Sequence, residues 1–459
     1  MNVAEQIVAQ LVDAGVHRIY GIVGDSLNPI VDAVRKTGGS KKGGIDWIHV
    51  RHEEAAAFAA SAEAQLTGKL AVCAGSCGPG NLHLINGLYD ANRTGAPVLA
   101  IASHIPSVQI GTMYFQETHP DRIFEECSVY NELISSAAQS PRTVNSAIRH
   151  AVGLGGVSVI TLPGDVSDLK AVDHVPTYAP ARPATLAPNA TDIEEAAALL
   201  NKADKVAIFA GAGVEGAHDE VIALADALKA PIGHSLRGKH FIQYDNPFDV
   251  GMTGLLGYGA AAEGMNDADV LILLGTDFPY DQFLPSTPTI QVDTHAEKLG
   301  RRTDVGLAIH AQVKPFIEAL LPHLRANRSD SFLKSKIKKH SEIMHAPVGA
   351  YTRNVEKMRP IHPEYAAHLL NETAAKDAIF TADTGMCNVW TARYIDPLGT
   401  RRLIGSLLHG SMANALPMAL GAQVAYPDRQ VVSVSGDGGL SMLLGELITA
   451  KMYDLPVKV

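Results

Sequence analysis

Short apolar runs alternate with helical patterns along most of this chain, and many of the runs end in a glycine-containing turn. The first part of the chain carries five such runs, at 17–23, 46–50, 70–74, 97–102 and 157–163. An alanine-rich helical pattern at 53–66 lies between the second and third runs. Strands that alternate with helices favour a parallel sheet with helices on both faces. The sequence therefore predicts an α/β fold.

The alternation occurs in three blocks. Further strands are predicted at 205–210, 269–275 and 289–293 in the second block, and at 378–381 and 430–435 in the third. A Pro/Ala/Thr-rich linker is predicted at 176–188, and a Lys/Ser-rich stretch at 325–340 predicts the exit from the second block. A chain of 459 residues is too long for one ordinary domain. We predict three consecutive doubly wound parallel-sheet domains, at 1–180, 185–340 and 355–459, the third incomplete.

Composition excludes some classes of function. The formal net charge of −10 argues against a nucleic-acid partner, although backbone amides can still hold phosphate cofactors. No basic region followed by an apolar core opens the chain, and no apolar stretch is long enough to predict a membrane span. The four cysteines form no CxxC pair, so we expect reduced thiols that pack as small apolar residues: Cys73, Cys77, Cys127 and Cys387.

One glycine turn carries the most specific chemistry. The strand predicted at 430–435 leads into Gly436-Asp437-Gly438-Gly439, and a helical pattern follows at 443–447. Glycines let the backbone approach a diphosphate closely, and a helix N-terminus favours the anion. An aspartate in the turn can hold a divalent metal against that anion. The turn predicts a site for a metal-bound diphosphate.

Other glycine turns point to a dinucleotide less specifically. Residues 211–216 fit GxGxxG after a strand, but no ribose-binding acid follows at the usual interval, so a standard NAD site has little support. Glycines and hydroxyls at 251–257 and 274–280 also follow predicted strands, where open α/β sheets bind ligands. Each of these two segments could equally be an ordinary connecting loop without a ligand.

Two further segments have a structural and a functional interpretation. Glu53 opens a helix, where the dipole favours an acid, yet a carboxylate there could also exchange a proton with a heterocyclic nitrogen. The sequence HGSM at 409–412 precedes a helix of small residues, for which Ser411 is the predicted N-cap. Met412 alone is more typical of a core residue than of a cofactor contact.

In combination these segments resemble the thiamine-diphosphate enzymes of the pyruvate oxidase type, with the quinone-dependent branch nearest. The resemblance covers essentially the whole chain. It rests on seven segments in order: RHEE (51–54), AGSCGPGN (74–81), YFQETHP (114–120), YDNP (244–247), FPY (278–280), HGSM (409–412) and GDG (436–438).

The resemblance implies pyrimidine-binding, FAD-binding and diphosphate-binding domains, with thiamine diphosphate between the first domain of one subunit and the third of its neighbour. Glu53 would be the catalytic carboxylate at the aminopyrimidine ring, Met412 the wedge that bends the cofactor, and Asp437 the Mg²⁺ ligand. The implied thiamine diphosphate contacts are Glu53, Gly410, Ser411, Met412, Asp437, Gly438 and Gly439.

The implied reaction is oxidation of pyruvate to acetate and CO₂, with electrons passing through FAD to a membrane quinone such as ubiquinone. The implied FAD contacts are Gly211, Gly213, Arg237, Thr253, Gly254, Leu255, Leu256, Thr276, Asp277, Phe278, Pro279, Tyr280, Asp293, Thr294, His295, Ala296, Glu297 and Lys298. The implied substrate pocket contains Asp25, Ser26, Phe115 and Gln116. The family further implies a homotetramer in the cytoplasm, peripheral to the inner face of the cell membrane.

Alternatives remain open at this point. An oxygen-dependent pyruvate oxidase, an acetolactate synthase and a non-catalytic scaffold would share most of these motifs. Family members continue beyond the GDG turn to an asparagine that supplies a second Mg²⁺ ligand and to a membrane-contacting segment. We therefore expect the chain to be C-terminally truncated, to retain FAD, and to bind thiamine diphosphate and Mg²⁺ poorly.

Overall fold

A computed structural model describes residues 1–173, 178–181, 184–326 and 328–459. The chain divides into two compact units, Met1–Arg182 with Ala378–Cys387 and Ile404–Val459, and Pro183–Asp377 with Asn388–Leu403. Residues 176–177 and 182–183 of the predicted linker lie outside the described residues. None of the described helices is long and apolar enough to cross a membrane.

The N-terminal part of the first unit is a six-stranded sheet in which every neighbouring pair is parallel. Its strands are β1 (Arg18–Gly21), β2 (Asp46–His49), β3 (Ala71–Gly75), β4 (Val98–His104), β5 (Tyr130–Leu133) and β6 (Val157–Pro163), in the order β2-β1-β3-β4-β6-β5. Its helices are α1 (Val3–Asp13), α2 (Asn28–Lys36), α3 (Glu53–Thr67), α4 (Pro79–Thr94), α5 (Pro120–Ile123), α6 (Ser140–Leu154) and α7 (Gly164–Asp168).

The central strands of this sheet are buried on both faces, as their continuous apolar runs predict. Along β4, Leu99 and Ile101 pack into one hydrophobic cluster, whereas Val98 and Ala100 pack into another. Successive strand residues point to opposite faces, so both faces need a helical cover. The five predicted strands are confirmed. Strand β5 was missed because it lies at the sheet edge and its sequence, YNEL, is largely polar.

The second unit contains a seven-stranded sheet in the order β10-β9-β8-β7-β11-β12-β13, in which β10 is antiparallel to β9. Its strands are β7 (Val206–Ala210), β8 (Ile232–His234), β9 (Asp249–Met252), β10 (Tyr258–Gly259), β11 (Val270–Leu274), β12 (Thr289–Asp293) and β13 (Leu307–His310). The helices before the third sheet are α8 (Ala190–Lys202), α9 (His218–Leu228), α10 (Lys239–Ile242), α11 (Ala261–Asn266), α12 (Val313–Leu320), α13 (Ser331–Ile343) and α14 (Pro363–Thr373).

The charged stretch predicted as the exit from the second block is largely helical. It forms most of α13, and its Lys336 is buried with Nζ 2.7 Å from Glu263 on α11 and 2.5 Å from Asp267, the C-cap of α11. Phe332 and Leu333 are buried one turn earlier. Lys336 therefore belongs to a buried stripe of α13 and not to a solvated charge run.

The C-terminal part supplies a three-stranded sheet in the order β15-β14-β16. Its elements are β14 (Ile379–Ala382), α15 (Met386–Tyr394), β15 (Arg402–Gly405), α16 (Ala415–Ala425), β16 (Val431–Val434), α17 (Asp437–Met442) and α18 (Glu446–Met452). A single parallel bridge joins Val432 to Lys458. The helix predicted at 443–447 is in fact interrupted at Leu443–Gly445, since Gly445 is the N-cap of α18. Three mainly parallel sheets confirm the predicted α/β class.

Candidate functional site

Glu53 is a buried carboxylate at the first position of α3. The residue is 6% exposed, and its Oε2 lies 2.9 Å from Nδ1 of His83 on α4. His52 accepts the N–H of Glu54 at 3.2 Å and stacks its ring on that of His83 at 4.4 Å. Because an ionised carboxylate can only accept hydrogen bonds, Nδ1 of His83 is the donor. His83 was not among the predicted site residues, because it lies 30 positions after Glu53 and only the packing of α4 beside α3 brings the two together.

The turn before Glu53 is held by a buried glutamate from the far end of the chain. Glu446 on α18 accepts the backbone N–H groups of Arg51 at 2.8 Å and His52 at 3.0 Å. Its other oxygen accepts the hydroxyl of Thr449 at 2.7 Å. Burial raises the pKa of Glu446, and these hydrogen bonds oppose the rise. The carboxylate thereby positions the start of α3.

The raised pKa of Glu446 predicts a pH dependence of stability. Because the folded protein holds the proton more tightly than the unfolded chain, protonation favours folding. Relative to a Glu446→Gln variant, the wild type should gain stability as the pH falls from neutral towards the ordinary glutamate pKa of 4.5. Urea denaturation of both proteins across this window measures the difference. A difference that is constant or grows with rising pH contradicts the prediction.

The Gly436–Gly439 turn lies against a buried aspartate that follows β14. Asp383 is 2% exposed, and its Oδ1 accepts the N–H of Ala415 at 2.9 Å. A Cβ atom on Gly439 would lie 2.2 Å from Oδ2 of Asp383, so no side chain fits there. A Cβ atom on Gly438 would lie 3.1 Å from Cε of Met412. The turn and Met412 therefore meet at the carboxyl edge of the third sheet.

Residues 409–412, the HGSM loop, have a constrained backbone. Gly410 has a φ of 80°, and Ala413, directly after the loop, has a φ of 62°. Asn414 joins Ser411 of the loop to Ser406 before it, because its Oδ1 accepts the N–H of Ser406 at 3.1 Å and its Nδ2 donates to the carbonyl of Ser411 at 2.8 Å. The predicted N-cap at Ser411 was wrong. Asn414 occupies that position, while the Ser411 hydroxyl donates to the Met412 carbonyl at 2.9 Å.

These residues fit a diphosphate with a divalent metal. Helix α17 begins at Asp437 directly after the glycine, so N–H groups of its first turn have no partner within the helix. Asp437 is exposed, and its carboxylate oxygens are ligands that Mg²⁺ prefers. The absence of a side chain at Gly439 lets the Asp383 carboxylate pack against the backbone of the turn. Gly438, Gly439 and Met412 would line the same site.

The four residues predicted for a substrate pocket are only partly brought together. The hydroxyl of Ser26 accepts the N–H of Cys77 at 3.0 Å, and Sγ of Cys77 lies 3.3 Å from Oε1 of Gln116. Ser26 and Gln116 therefore flank the same glycine turn. Asp25 and Phe115 are exposed to solvent.

The residues predicted to bind FAD follow strands of the second unit, at the edge where ligands bind in open α/β sheets. A Cβ atom on Gly211 would lie 2.4 Å from the carbonyl oxygen of Gly275, so the turns after β7 and β11 touch through their backbones. Asp277 pairs with Arg301 and Arg302, and Asp293 accepts the N–H of His295 at 2.9 Å.

The remaining predicted FAD residues occupy the ends of five strands. Gly213 follows β7 and Arg237 follows β8, while a group after β9 comprises Thr253, Gly254, Leu255 and Leu256. The group after β11 comprises Thr276, Phe278, Pro279 and Tyr280. The group after β12 comprises Thr294, Ala296, Glu297 and Lys298. Phe278 is 5% exposed and packs edge-on against Phe209 and Tyr280, so its ring belongs to the core of this unit.

Comparison with known proteins matches three parts of the chain to three domains of one enzyme family. Residues 1–123 match the N-terminal TPP-binding domain of thiamine pyrophosphate enzymes, residues 193–320 their central domain, and residues 383–459 their C-terminal TPP-binding domain.

Individual relatives extend the match. The chain is 36% identical to the putative thiamine pyrophosphate-containing protein YdaP of Bacillus subtilis, over 99% of this chain and 79% of that protein. It is 31% identical to a pyruvate oxidase of Lactiplantibacillus plantarum, over 96% of this chain and 74% of that protein. It is also 31% identical to the large subunit of acetolactate synthase isozyme 2 of Escherichia coli, over 100% of this chain and 82% of that protein. The chain belongs to the family of thiamine pyrophosphate-dependent enzymes.

Proposed function

We propose that this protein oxidises pyruvate to acetate and CO₂ with thiamine diphosphate, and passes the electrons through FAD to a membrane quinone. The observation that carries the proposal is the buried Glu53 carboxylate, which His83 orients at the start of α3. When bound, thiamine diphosphate supplies an electron sink for loss of CO₂. Glu53 would exchange a proton with the cofactor's pyrimidine nitrogen, and its burial keeps water from competing for that proton.

The oxidative half of the proposal rests on the second unit and on the similarity to pyruvate oxidase. The turns after β7, β9, β11 and β12 share one sheet edge and are rich in glycine and hydroxyl residues. Backbone amides at such an edge suit a dinucleotide diphosphate, here that of FAD. We further propose Mg²⁺ at Asp437, and a homotetramer at the inner face of the cell membrane.

Anaerobic mixing with pyruvate tests the proposal. The purified protein, loaded with thiamine diphosphate, Mg²⁺ and FAD, should lose its visible flavin absorbance as the flavin is reduced. Reoxidation by ubiquinone faster than by oxygen supports the quinone as acceptor, whereas the reverse supports an oxygen-dependent oxidase. Formation of acetolactate without bleaching supports a synthase. Binding without any turnover contradicts the proposal in favour of a scaffold.

Replacing His83 with alanine tests the orientation of Glu53. Loss of the 2.9 Å hydrogen bond should lower kcat with pyruvate about tenfold, the equivalent of one hydrogen bond to a charged group. Stability should change little, because the side chain is 45% exposed. His52→Ala is the matched control, since it removes the stacked ring and the cap of α3 but not a contact with Glu53. Equal losses of kcat in both variants would refute a specific role for His83.

A further inference from the structure

The side chain of Asn86 on α4 joins the start of α3 to the HGSM loop within the first unit. Its Nδ2 donates to Oε1 of Glu54 at 2.7 Å and to Oγ of Ser411 at 2.8 Å. Its Oδ1 accepts from Nε2 of His409 at 2.8 Å. Both amide protons and one acceptor site are thus used in a single geometry.

The Glu54 carboxylate fixes the orientation of the Asn86 amide, and thereby the direction of each hydrogen bond that the amide makes. The Glu54 carboxylate can only accept, so the amide nitrogen of Asn86 must face it, and Oδ1 must face His409. Burial lowers the pKa of His409, which leaves the imidazole neutral with its proton on Nε2. Tyr89, one turn further along α4, stacks on the His409 ring at 5.6 Å and an interplanar angle of 7°. Helix α4 therefore contacts the loop at His409 and Ser411.

The backbone of the loop needs such support. Gly410 within it and Ala413 directly after it both have positive φ, and a non-glycine residue in that region persists only where surrounding contacts over-determine it. Without Asn86, the side chains of His409 and Ser411 would lose a partner each, while Glu54 would lose its amide donor.

We propose that Asn86 is a positioning residue, which holds the HGSM loop in the conformation that receives the cofactor and couples that loop to the helix carrying Glu53. The proposal rests on the thiamine diphosphate function proposed above. Asn86 itself need not touch the cofactor. Asn86 is predicted to keep the loop ordered, and thereby to raise the affinity for thiamine diphosphate.

Asn86→Asp is the most informative substitution. Aspartate still accepts from His409, but it loses the Nδ2 donor to Ser411 and places a second carboxylate against Glu54. Backbone amides of residues 409–412 should exchange hydrogen about tenfold faster than in the wild type without added cofactor, as expected for loss of one hydrogen bond to a charged group. The Kd for thiamine diphosphate, from calorimetric titration with Mg²⁺, should rise by a similar factor.

The double variant N86D with Glu54→Gln provides a rescue. The amide introduced at position 54 can donate to the aspartate, so the bond reappears with its donor and acceptor exchanged. Both hydrogen exchange and Kd should then return towards wild-type values. Tyr89→Phe is the control on the same helix, because it keeps the ring over His409 and loses only the hydroxyl bond to Glu126.

Two outcomes would overturn the inference. One is unchanged exchange of residues 409–412 in N86D, and the other is a double variant no better than N86D alone. A wild type that binds no thiamine diphosphate would refute the proposed function instead, and the exchange measurement would still decide the role of Asn86.

Discussion

Replacing Glu53 with glutamine is expected to lower kcat with pyruvate about 10³-fold, within the usual range for loss of a general acid–base group. Glutamine has the same shape and can still accept from His83, so the helix start should be preserved. It cannot take or return a proton at neutral pH. The measurement is reduction of an artificial electron acceptor by pyruvate at saturating cofactor, with the Kd for thiamine diphosphate determined separately.

Glu63 offers a matched control about three turns along the same helix. It is also a buried glutamate, but its partners are Arg18 at 2.5 Å and the hydroxyl of Tyr20 at 2.6 Å. Glu63→Gln leaves Arg18 without a counter-charge and should cost about 3 kcal/mol of unfolding free energy. The folded fraction should keep normal turnover. A Glu53→Gln variant with kcat near that of the wild type would contradict the assignment of Glu53.

Local sequence patterns predicted what is local in this molecule. The runs that became β3, β4 and β6 are largely apolar because both faces of their sheet are covered, and such runs are visible in any window of the sequence. The strand before Gly436–Gly439 was predicted from its apolar run and the turn from its glycines, whereas the helix begins at Asp437 and not at 443. Strand β5 escaped because an edge strand needs no apolar run.

The parts of the site that could not be predicted depend on contacts between distant segments. Arg51 and Glu446 are 395 positions apart, and their hydrogen bond exists only once α18 packs beside the start of α3. Gly439 looked like part of a diphosphate turn, but its lack of a side chain is also imposed by Asp383, which carries no motif of its own. The N-cap of α16 moved from Ser411 to Asn414 because the loop backbone turns through positive φ before the helix begins.

Gly421→Ala should destabilise the first unit by about 3 kcal/mol, the upper end of the usual cost of overpacking. A Cβ atom there would lie 2.2 Å from the carbonyl oxygen of Ala59 and 2.8 Å from its Cα. These are backbone atoms in the middle of α3, so no side-chain rotation relieves the overlap, and α16 and α3 must move apart. Urea denaturation followed by helical circular dichroism measures the loss.

Gly153→Ala separates this overlap from the general effect of placing alanine in a helix. Gly153 lies in α6 with no atom within 4 Å of its would-be Cβ, so alanine there should stabilise by about 0.5–1 kcal/mol through helix propensity alone. The two substitutions should therefore change the free energy of unfolding in opposite directions, because only Gly421→Ala brings a Cβ atom against Ala59. Since α3 carries Glu53 at its first residue, a helix displaced by Gly421→Ala should also lower kcat, whereas Gly153→Ala should leave it unchanged. Stabilisation by Gly421→Ala would mean that α16 does not pack against α3 at this distance.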